Sequence, residues 1–258
     1  MSMSATNAAA PPATPETRRP PGRLWSLEVV AARDLNPRMR RITLTGSDLD
    51  ELAYQPGQDL VLQMPLGDGT YGRRHYTIRG LDTAAKRLEI DFVLHGDSAS
   101  GNWARAAQAG TRIDARGPRG RTVFNPGADW HLLTGDETCI PAILGILEIL
   151  PSHAHAWALV EIADATDRQP VTCKARLDFE WLERRGPGGP SAFMLERVKA
   201  FKLPPGRGHA YIIGETSNVR AQRHDLLARG MAKDQISAEG YWRPGRLGGH
   251  DHIEERPH

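Results

Sequence analysis

Apolar and polar residues alternate in short runs along the first half of the chain. In residues 87–95, Leu88, Ile90, Phe92 and Leu94 fall on one face, which is the period of two that a half-buried strand requires. Turn-forming Asn, Pro, Gly and Asp residues separate these runs. Six segments follow the pattern: LWSLEVVAARDL, MRRITLTG, QDLVLQMPL, RHYTIRG, RLEIDFVLH and TRIDARGPRG. Six short strands in succession predict a closed or nearly closed antiparallel barrel.

A helix-like run, ASGNWARAAQAG, interrupts the strands once, and after Phe124 helices and strands alternate. The later segments are DWHLLTGD, ETCIPAILGILEILP, AWALVEIAD, SAFMLERVKAFKLP, HAYIIGE, SNVRAQRHDLLARG and DQISAEGYW. Such alternation predicts a parallel sheet covered by helices on both faces. We therefore divide the chain into a disordered tail at residues 1–22, a barrel domain at 23–125 and an α/β domain at 126–258.

The composition is that of an ordinary globular protein, with 258 residues, 40% hydrophobic and 25% charged, and a net charge of +2. So small a net charge argues against bulk nucleic-acid binding. The two cysteines, Cys139 and Cys173, form no CxxC pair, which fits a reducing compartment. The sequence shows neither a membrane-spanning apolar run nor a secretory signal. We expect a cytoplasmic monomer that binds neither nucleic acid nor membrane.

One predicted strand, YGRRHYTIRG at residues 71–80, carries more chemistry than a surface strand needs. Alternation places Arg74 and Tyr76 on one face, and Thr77 and Arg79 on the other. An arginine can donate two parallel hydrogen bonds to a diphosphate, a tyrosine offers a face for stacking, and a threonine can contact a polar ring edge. A flavin dinucleotide requires these groups, although such a string alone is more often an exposed charge cluster.

Two further segments favour a flavin-binding strand over an exposed charge cluster. His95 ends a predicted strand, and the small residues after it lead into a helix near Gly101–Trp103, where backbone amides become available to phosphate. Further on, a strand runs into TGDETCIPAI at residues 134–143 and then into a helix. Ligands of open α/β sheets bind at the carboxyl ends of such strands.

Four segments together resemble the siderophore-interacting, FAD-binding family, which is related to the ferredoxin reductases. They are RRHYTIR, DFVLHGDSASGNWA, TGDETCIPAI and the closing GE…GYWRPG. Their order and spacing follow that family over nearly all of the chain after residue 22. The resemblance implies a six-stranded Greek-key barrel that binds FAD, and a parallel α/β domain that takes electrons from NADPH, NADH or reduced ferredoxin. The activity it implies is FAD-dependent reduction of ferric siderophores.

The resemblance also implies where each group is bound. Arg74 would pair with the FAD phosphates, Tyr76 would stack on the isoalloxazine ring and Thr77 would contact the ring edge. The rest of the implied FAD pocket is His75, Arg79, His95, Ala99, Ser100 and Trp103, with backbone amides near Ala99 and Ser100 at the pyrophosphate. The implied crevice for a nicotinamide dinucleotide contains Asp136, Glu137, Thr138, Gly214 and Glu215.

This sequence departs from the family pattern in two places. The loop after His95 is Asp97–Asn102, where a Gly-Pro-Ala-Ser type is common, so the pyrophosphate contacts of that loop stay open. The segment TGDETCIPAI lacks the G-x-G-x-x-G fingerprint and has acidic residues where glycines would admit a phosphate. The contacts of the electron donor therefore stay open as well.

The implied reaction leaves the electron chemistry to the cofactor. A flavin accepts two electrons together and passes them on singly, and oxygen chelators hold Fe(III) more strongly than Fe(II). Because no acid or base is required at the iron, no catalytic side chain is predicted. Ferric siderophores are often anionic, so we expect a basic mouth built from Arg119, Arg121, Arg243 and Arg246. Arg243 fits equally well as a surface arginine that anchors the last strand.

Two alternative functions stay open. A general NAD(P)H–flavin diaphorase, or a reductase of a protein partner, would share the fold, and a flat apolar rim would favour the protein partner. A carrier could instead bind a siderophore or flavin without turnover. No metal site is predicted, because the His-x-His pairs at residues 153–155 and 250–252 fall short of the three or four ligands that a metal requires.

Overall fold

The computed structural model describes residues 22–94, 96–184, 186–246 and 251–252. The strands in these ranges are β1 (Leu24–Asn36), β2 (Met39–Thr45), β3 (Asp59–Pro65), β4 (Tyr71–Asp82), β5 (Arg87–Val93), β6 (Arg112–Arg119), β7 (Trp130–Asp136), β8 (His155–Ile162), β9 (Arg176–Glu183), β10 (Gly208–Glu215), β11 (Ile236–Trp242) and β12 (Asp251–His252). The α-helices are α1 (Ala99–Ala106), α2 (Ile140–Ile149), α3 (Ala192–Ala200) and α4 (Thr216–Ala228). The predicted tail falls outside the described residues up to position 21, and so does His95.

The first six strands close into an antiparallel barrel in the order β1-β2-β5-β4-β3-β6, and β6 pairs back onto β1. Alternate residues point inward, so that Ile42, Leu44, Leu62, Ile90 and Phe92 lie buried in one core. Closure of the sheet removes its exposed edges and covers the apolar face of each strand. The predicted barrel is confirmed, with β5 inserted between β2 and β4 as a Greek-key order requires.

The second half forms a six-stranded sheet in the order β12-β11-β10-β7-β8-β9. The five strands from β11 to β9 are parallel, and β12 pairs antiparallel with β11. Residues of α2 build the core on one face of the sheet, and residues of α3 and α4 build the core on the other. The predicted parallel α/β architecture is confirmed. None of the helices in the described ranges is long and apolar enough to cross a membrane.

The sequence prediction had no strand at β9. Leu177, Phe179 and Trp181 alternate there with charged residues and pack against the core that contains α2. The period of two is therefore present, but β9 is an edge strand whose other face is polar. A run in which four of eight residues are charged is easily taken for a loop.

A seam of buried and charged contacts joins the barrel to the α/β domain. Arg79 on β4 forms an ion pair with Glu148 on α2, with Nη2 2.6 Å from Oε1. Arg38, in the β1–β2 turn, lies 2.8 Å from Asp164 and 2.9 Å from Asp167. Met39 is buried in the core that contains α2. These contacts fix the face of the barrel that carries β4 against the α/β domain.

Hydrogen bonds to Asp136 join the carboxyl ends of β7, β10 and β11. Its Oδ1 accepts hydrogen bonds from the backbone N–H and the hydroxyl of Thr138, at 3.0 and 2.5 Å. Its Oδ2 accepts from the backbone N–H of Glu215 and the indole N–H of Trp242, both at 2.9 Å. Burial raises the pKa of Asp136, while its hydrogen bonds act in the opposite direction. A Cβ at Gly214, whose φ is +126°, would lie 2.7 Å from Oδ2, so this approach requires glycine.

At the opposite edge of the sheet, two buried histidines tie the interdomain linker to the core. The hydroxyl of Tyr211 accepts from the backbone N–H of Asn125 at 2.8 Å and lies 3.3 Å from Nδ1 of His131. His209 contacts the Asn125 side chain at 3.0 Å and the Ser237 hydroxyl at 2.9 Å. Burial lowers the pKa of both imidazoles to about 4. Both histidines are therefore neutral in the folded protein near neutral pH.

We expect the buried histidines to make the fold sensitive to acid. Between the unfolded pKa near 6.5 and the folded value of about 4, only the unfolded chain takes up these protons, so stability falls as the pH falls. The loss is at most about 3 kcal/mol per imidazole. Urea unfolding at about pH 7.5 and about pH 5 measures it. His209→Gln should flatten the pH dependence, whereas His153→Gln at an exposed turn should not. An equal slope in His209→Gln and the parent would contradict this assignment.

A second prediction concerns Asp136. In Asp136→Asn, an amide group replaces one oxygen and faces two N–H or O–H donors. We expect the free energy of unfolding to fall by about 2 kcal/mol or more. Trp242→Phe, which removes a single donor, should cost about half as much. Urea titration of the three proteins gives the comparison, and a stability loss in Asp136→Asn no larger than that in Trp242→Phe would contradict the role given to Asp136.

Candidate functional site

The barrel opens along β4. Residues Tyr71–Thr77 of this strand pair with β3, while pairing with β5 begins only at Ile78. The edge of β4 that faces away from β3 is therefore open along Arg74–Thr77, and the α/β domain lies across it. Side chains on both faces of the strand reach the same space, because no neighbouring strand separates them there.

This space is a cleft of about 530 Å³ between the two domains, within the usual size range of small-molecule sites. The barrel contributes Arg74, His75, Tyr76 and Thr77 from β4 together with Ser98 and Ser100 at the start of α1. The α/β domain contributes Glu137, Thr138, Pro141, Arg184 and Gly188, and the segment Tyr241–Arg246. Two strands, one helix start and the end of the sheet thus converge on one site.

The ring of Tyr76 packs against the aromatic residues of the barrel core. Its ring centroid lies 4.1 Å from that of Phe92, and Phe92 in turn packs on Trp103 at 5.4 Å. The Tyr76 hydroxyl is hydrogen-bonded to Ser100, and burial raises the pKa of Tyr76 to about 12. The ring is therefore a fixed, uncharged aromatic surface at the cleft.

Two hydrogen bonds fix the neighbours of Tyr76 on β4. His75 Nδ1 lies 2.6 Å from the buried Asp59 carboxylate on β3. Thr77 is hydrogen-bonded to Tyr241 at the end of β11, and burial raises the pKa of that tyrosine well above its ordinary value. The Thr77–Tyr241 contact crosses from the barrel to the α/β domain, so it also fixes the width of the cleft.

The cleft has a basic rim. Arg74, Arg184, Arg243 and Arg246 are the arginines among the described residues that line it. Arg184 forms a two-pronged ion pair with Glu137, with Nη1 2.5 Å from Oε2. The other carboxylate at the cleft, Asp91, is paired with Arg41 at 2.6 Å. The described lining thus contains four arginines and two carboxylates, so its formal charge is positive.

The structure brings together nine of the residues proposed from the sequence: Arg74, His75, Tyr76, Thr77, Ser100, Glu137, Thr138, Arg243 and Arg246. The others lie elsewhere. Arg79 pairs with Glu148 in the seam, and Trp103 packs beneath the cleft on Phe92. Ala99, Arg119 and Arg121 do not line the cleft, and Asp136, Gly214 and Glu215 lie at the carboxyl edge of the sheet. His95 is outside the described residues.

Sequence reasoning missed three residues that shape the site. Arg184 follows the unpredicted strand β9, so its position could not be inferred. Tyr241 and Trp242 lie in the segment GYWRPG that carried part of the resemblance, but neither was assigned to the site. The expected opposite facing of Tyr76 and Thr77 does not separate them, since both line the cleft at the open edge of β4.

These residues fit a flavin dinucleotide. A fixed aromatic ring, a hydroxyl beside it and an arginine on the same strand match a stacked ring system, its polar edge and a phosphate. Ser98 and Ser100 place hydroxyls and the N-terminus of α1 at the same cleft. Of this chain's own groups, Arg74, Tyr76, Thr77 and Ser100 are those that could hold the cofactor.

Comparisons with known proteins agree with this geometry. Residues 63–122 match the siderophore-interacting FAD-binding domain, and residues 128–245 match the siderophore-interacting protein family. The chain is 34% identical to an uncharacterized protein of Mycobacterium tuberculosis, with 86% of this chain and 91% of the relative covered. It is 30% identical to the ferric vibriobactin reductase ViuB of Vibrio cholerae, with 85% of this chain and 89% of the relative covered.

Solved structures also resemble this chain over most of its length. A siderophore utilization protein from T. fusca superposes with a TM-score of 0.81 at 32% identity, covering 88% of this chain and 95% of that one. A ferredoxin NADP+ reductase from Neisseria gonorrhoeae, at 17% identity, shares the fold with a TM-score of 0.64, covering 85% of this chain and 99% of that one. The chain therefore belongs to the siderophore-interacting protein family, and its barrel is the FAD-binding domain of that family.

Proposed function

We propose that this protein is a flavin-dependent ferric-siderophore reductase. FAD is held in the cleft by Arg74, Tyr76 and Thr77, and electrons reach it from NADPH, NADH or reduced ferredoxin. A ferric siderophore accepts them and releases Fe(II). We expect the reaction in the cytoplasm, where the two cysteines stay reduced. The observation that carries the proposal is the convergence of the β4 residues and the basic rim on one cleft.

Each part of the cleft has a task in this reaction. Bound FAD would supply the conversion of a two-electron input into single electrons. Tyr76 orients the ring system, and the Thr77–Tyr241 contact keeps the two domains at a fixed separation around it. Arg243 and Arg246, which are exposed at the rim, attract and hold an anionic chelate. No side chain needs to move a proton at the iron.

The rim supports a small anionic substrate over a protein partner as the electron acceptor. Its residues are Arg184, Arg243, Pro244, Gly245 and Arg246. The large exposed apolar residues Leu24, Leu66, Tyr71, Ile149 and Phe193 lie outside the cleft lining. A flat apolar docking rim, which a protein acceptor would favour, is not formed by the described residues around the cleft.

Anaerobic spectroscopy tests the proposal and its alternatives. The purified protein should be yellow, lose its flavin absorbance with one of the three donors, and regain it when a ferric siderophore is added. A carrier would bind the chelate without any change in flavin absorbance. A diaphorase would be reoxidised by quinone or dye acceptors but not by the ferric chelate. A protein that stays colourless with added FAD would refute the proposal.

Tyr76 provides the sharpest test of the FAD site. Tyr76→Ala removes the stacking surface, so we expect the dissociation constant for FAD to rise about 10-fold to 100-fold. Tyr76→Phe keeps the ring and loses only the bond to Ser100, so the rise should stay within about fivefold. Tyr71→Ala, an exposed tyrosine on the same strand, is the matched control. Titration of the apoprotein with FAD by flavin fluorescence measures all three. FAD binding in Tyr76→Ala as tight as in the parent would rule out this site.

Arg243 tests the basic rim. In Arg243→Ala we expect the apparent KM for an anionic ferric siderophore to rise about fivefold and kcat to change less, because the lost charge acts on binding. The effect should shrink as the salt concentration is raised. Arg220→Ala, on the exposed side of α4, should leave KM unchanged. Steady-state rates with an Fe(II) trap measure these values, and an identical KM in Arg243→Ala across the salt series would contradict the role of the rim.

A further inference from the structure

A second crevice lies beside the cleft, at the carboxyl edge of the parallel sheet. Strand β7 ends in Asp136, β8 reaches this edge through Glu161, and β10 ends in Glu215. All three carboxylates line the crevice, and their residues are 7%, 4% and 1% exposed. In open α/β sheets this edge is where a dinucleotide binds, with its pyrophosphate at glycine-rich turns and helix N-termini.

The starts of α3 and α4 and the turn before α2 each have a side-chain cap at this edge. The Asp136 carboxylate accepts from the N–H of Thr138 in the turn before α2. The Glu215 carboxylate accepts from the N–H of Asn218 at the start of α4, at 2.9 Å. The Ser191 hydroxyl caps α3 and donates to Glu161. One backbone donor at each of these starts is therefore occupied, and at two of them the capping group is a carboxylate that would repel a pyrophosphate.

Charge at the crevice opposes a phosphate as well. Arg184 is the one basic residue among the described residues that line it, and both prongs of its guanidinium are bound to Glu137. One oxygen of Glu215, Oε1, is buried with no hydrogen-bond partner among the described residues. A phosphate in this crevice would therefore lie among three carboxylates and one arginine that is already paired.

The crevice is also almost full. Its free volume is about 10 Å³, which is at or below the space that a single water requires. The neighbouring cleft offers about 530 Å³. The crevice is therefore far too small for an adenine-ribose-diphosphate group, and the cleft is the space assigned to FAD, which leaves only the rim outside the FAD site.

We propose that the crevice does not bind a dinucleotide, and that the electron donor instead enters at the basic rim of the cleft that also receives the ferric chelate. This inference rests on the proposed function. The acidic caps, the buried carboxylates and the filled volume close the edge of the sheet, whereas Arg243 and Arg246 are exposed at the rim of the cleft. Donor and chelate then enter the cleft through the same opening and bind one after the other.

Binding measurements test the crevice without any turnover. The oxidised FAD-loaded protein is titrated calorimetrically with ADP-ribose, which is the dinucleotide without its nicotinamide ring. We expect no saturable binding at the crevice, so any binding of ADP-ribose should be unchanged in Glu161→Gln and weaker in Arg243→Ala. The redox-inert Ga(III) complex of a siderophore, titrated into the same sample, should bind and shows that the protein is intact. Saturable binding of ADP-ribose that changes in Glu161→Gln would overturn the proposal.

Competition tests the shared mouth. The Ga(III) chelate should raise the apparent KM of the donor for flavin reduction and leave the limiting rate unchanged. Arg243→Ala should raise KM about fivefold for donor and ferric chelate alike, while Glu161→Gln should change neither. A bound Ga(III) chelate that leaves the donor's KM unaltered would refute the inference. Failure of every ferric chelate to reoxidise the flavin would instead refute the proposed function, and the ADP-ribose result would still stand.

Discussion

The site depends on the open edge of β4 and on the seam that keeps the α/β domain beside it. A closed barrel has no free edge, so a ligand can reach a barrel strand only where pairing stops. Pairing between β4 and β5 starts at Ile78, directly after Thr77, and the Arg79–Glu148 ion pair lies immediately beyond. The same strand therefore supplies both the ligand-facing residues and the anchor to the second domain.

Two neighbouring regions of the molecule use buried charge in different ways. Within the cleft, Glu137 and Asp91 are each paired with an arginine, and the arginines of the lining outnumber its carboxylates. At the neighbouring sheet edge, carboxylates are used as structural groups that cap helices and join strand ends. Carboxylates placed there stabilise the edge and at the same time deny it to phosphate. One fold thus keeps its structural carboxylates apart from the arginine-lined cleft.

The sequence was sufficient for most of the fold. Alternation of apolar and polar residues with a period of two predicted the barrel strands. The alternation of strands with helix-like segments predicted the parallel sheet. Both patterns are local features of the sequence. Strand β9 was missed because half of its eight residues are charged, and such a run at the edge of a sheet resembles a loop. For the site, residue chemistry singled out Arg74, Tyr76 and Thr77. Their convergence depends on where strand pairing stops, which is a tertiary property that local spacing cannot reveal.

Position along the chain did not indicate which arginines line the cleft. Arg119 and Arg121 precede the linker and lie away from the cleft lining, whereas Arg184, after an unpredicted strand, lines it. The roles given to individual residues in cofactor and substrate binding stay predictions.

The most direct measurement is a single turnover of the isolated oxidative half-reaction. The FAD-loaded protein is photoreduced without oxygen, so that no donor is present, and is then mixed rapidly with a ferric siderophore and an Fe(II) trap. The account predicts that flavin absorbance returns as trapped Fe(II) appears, with two irons reduced for each flavin. Reduced flavin that persists beside an intact ferric chelate would contradict it.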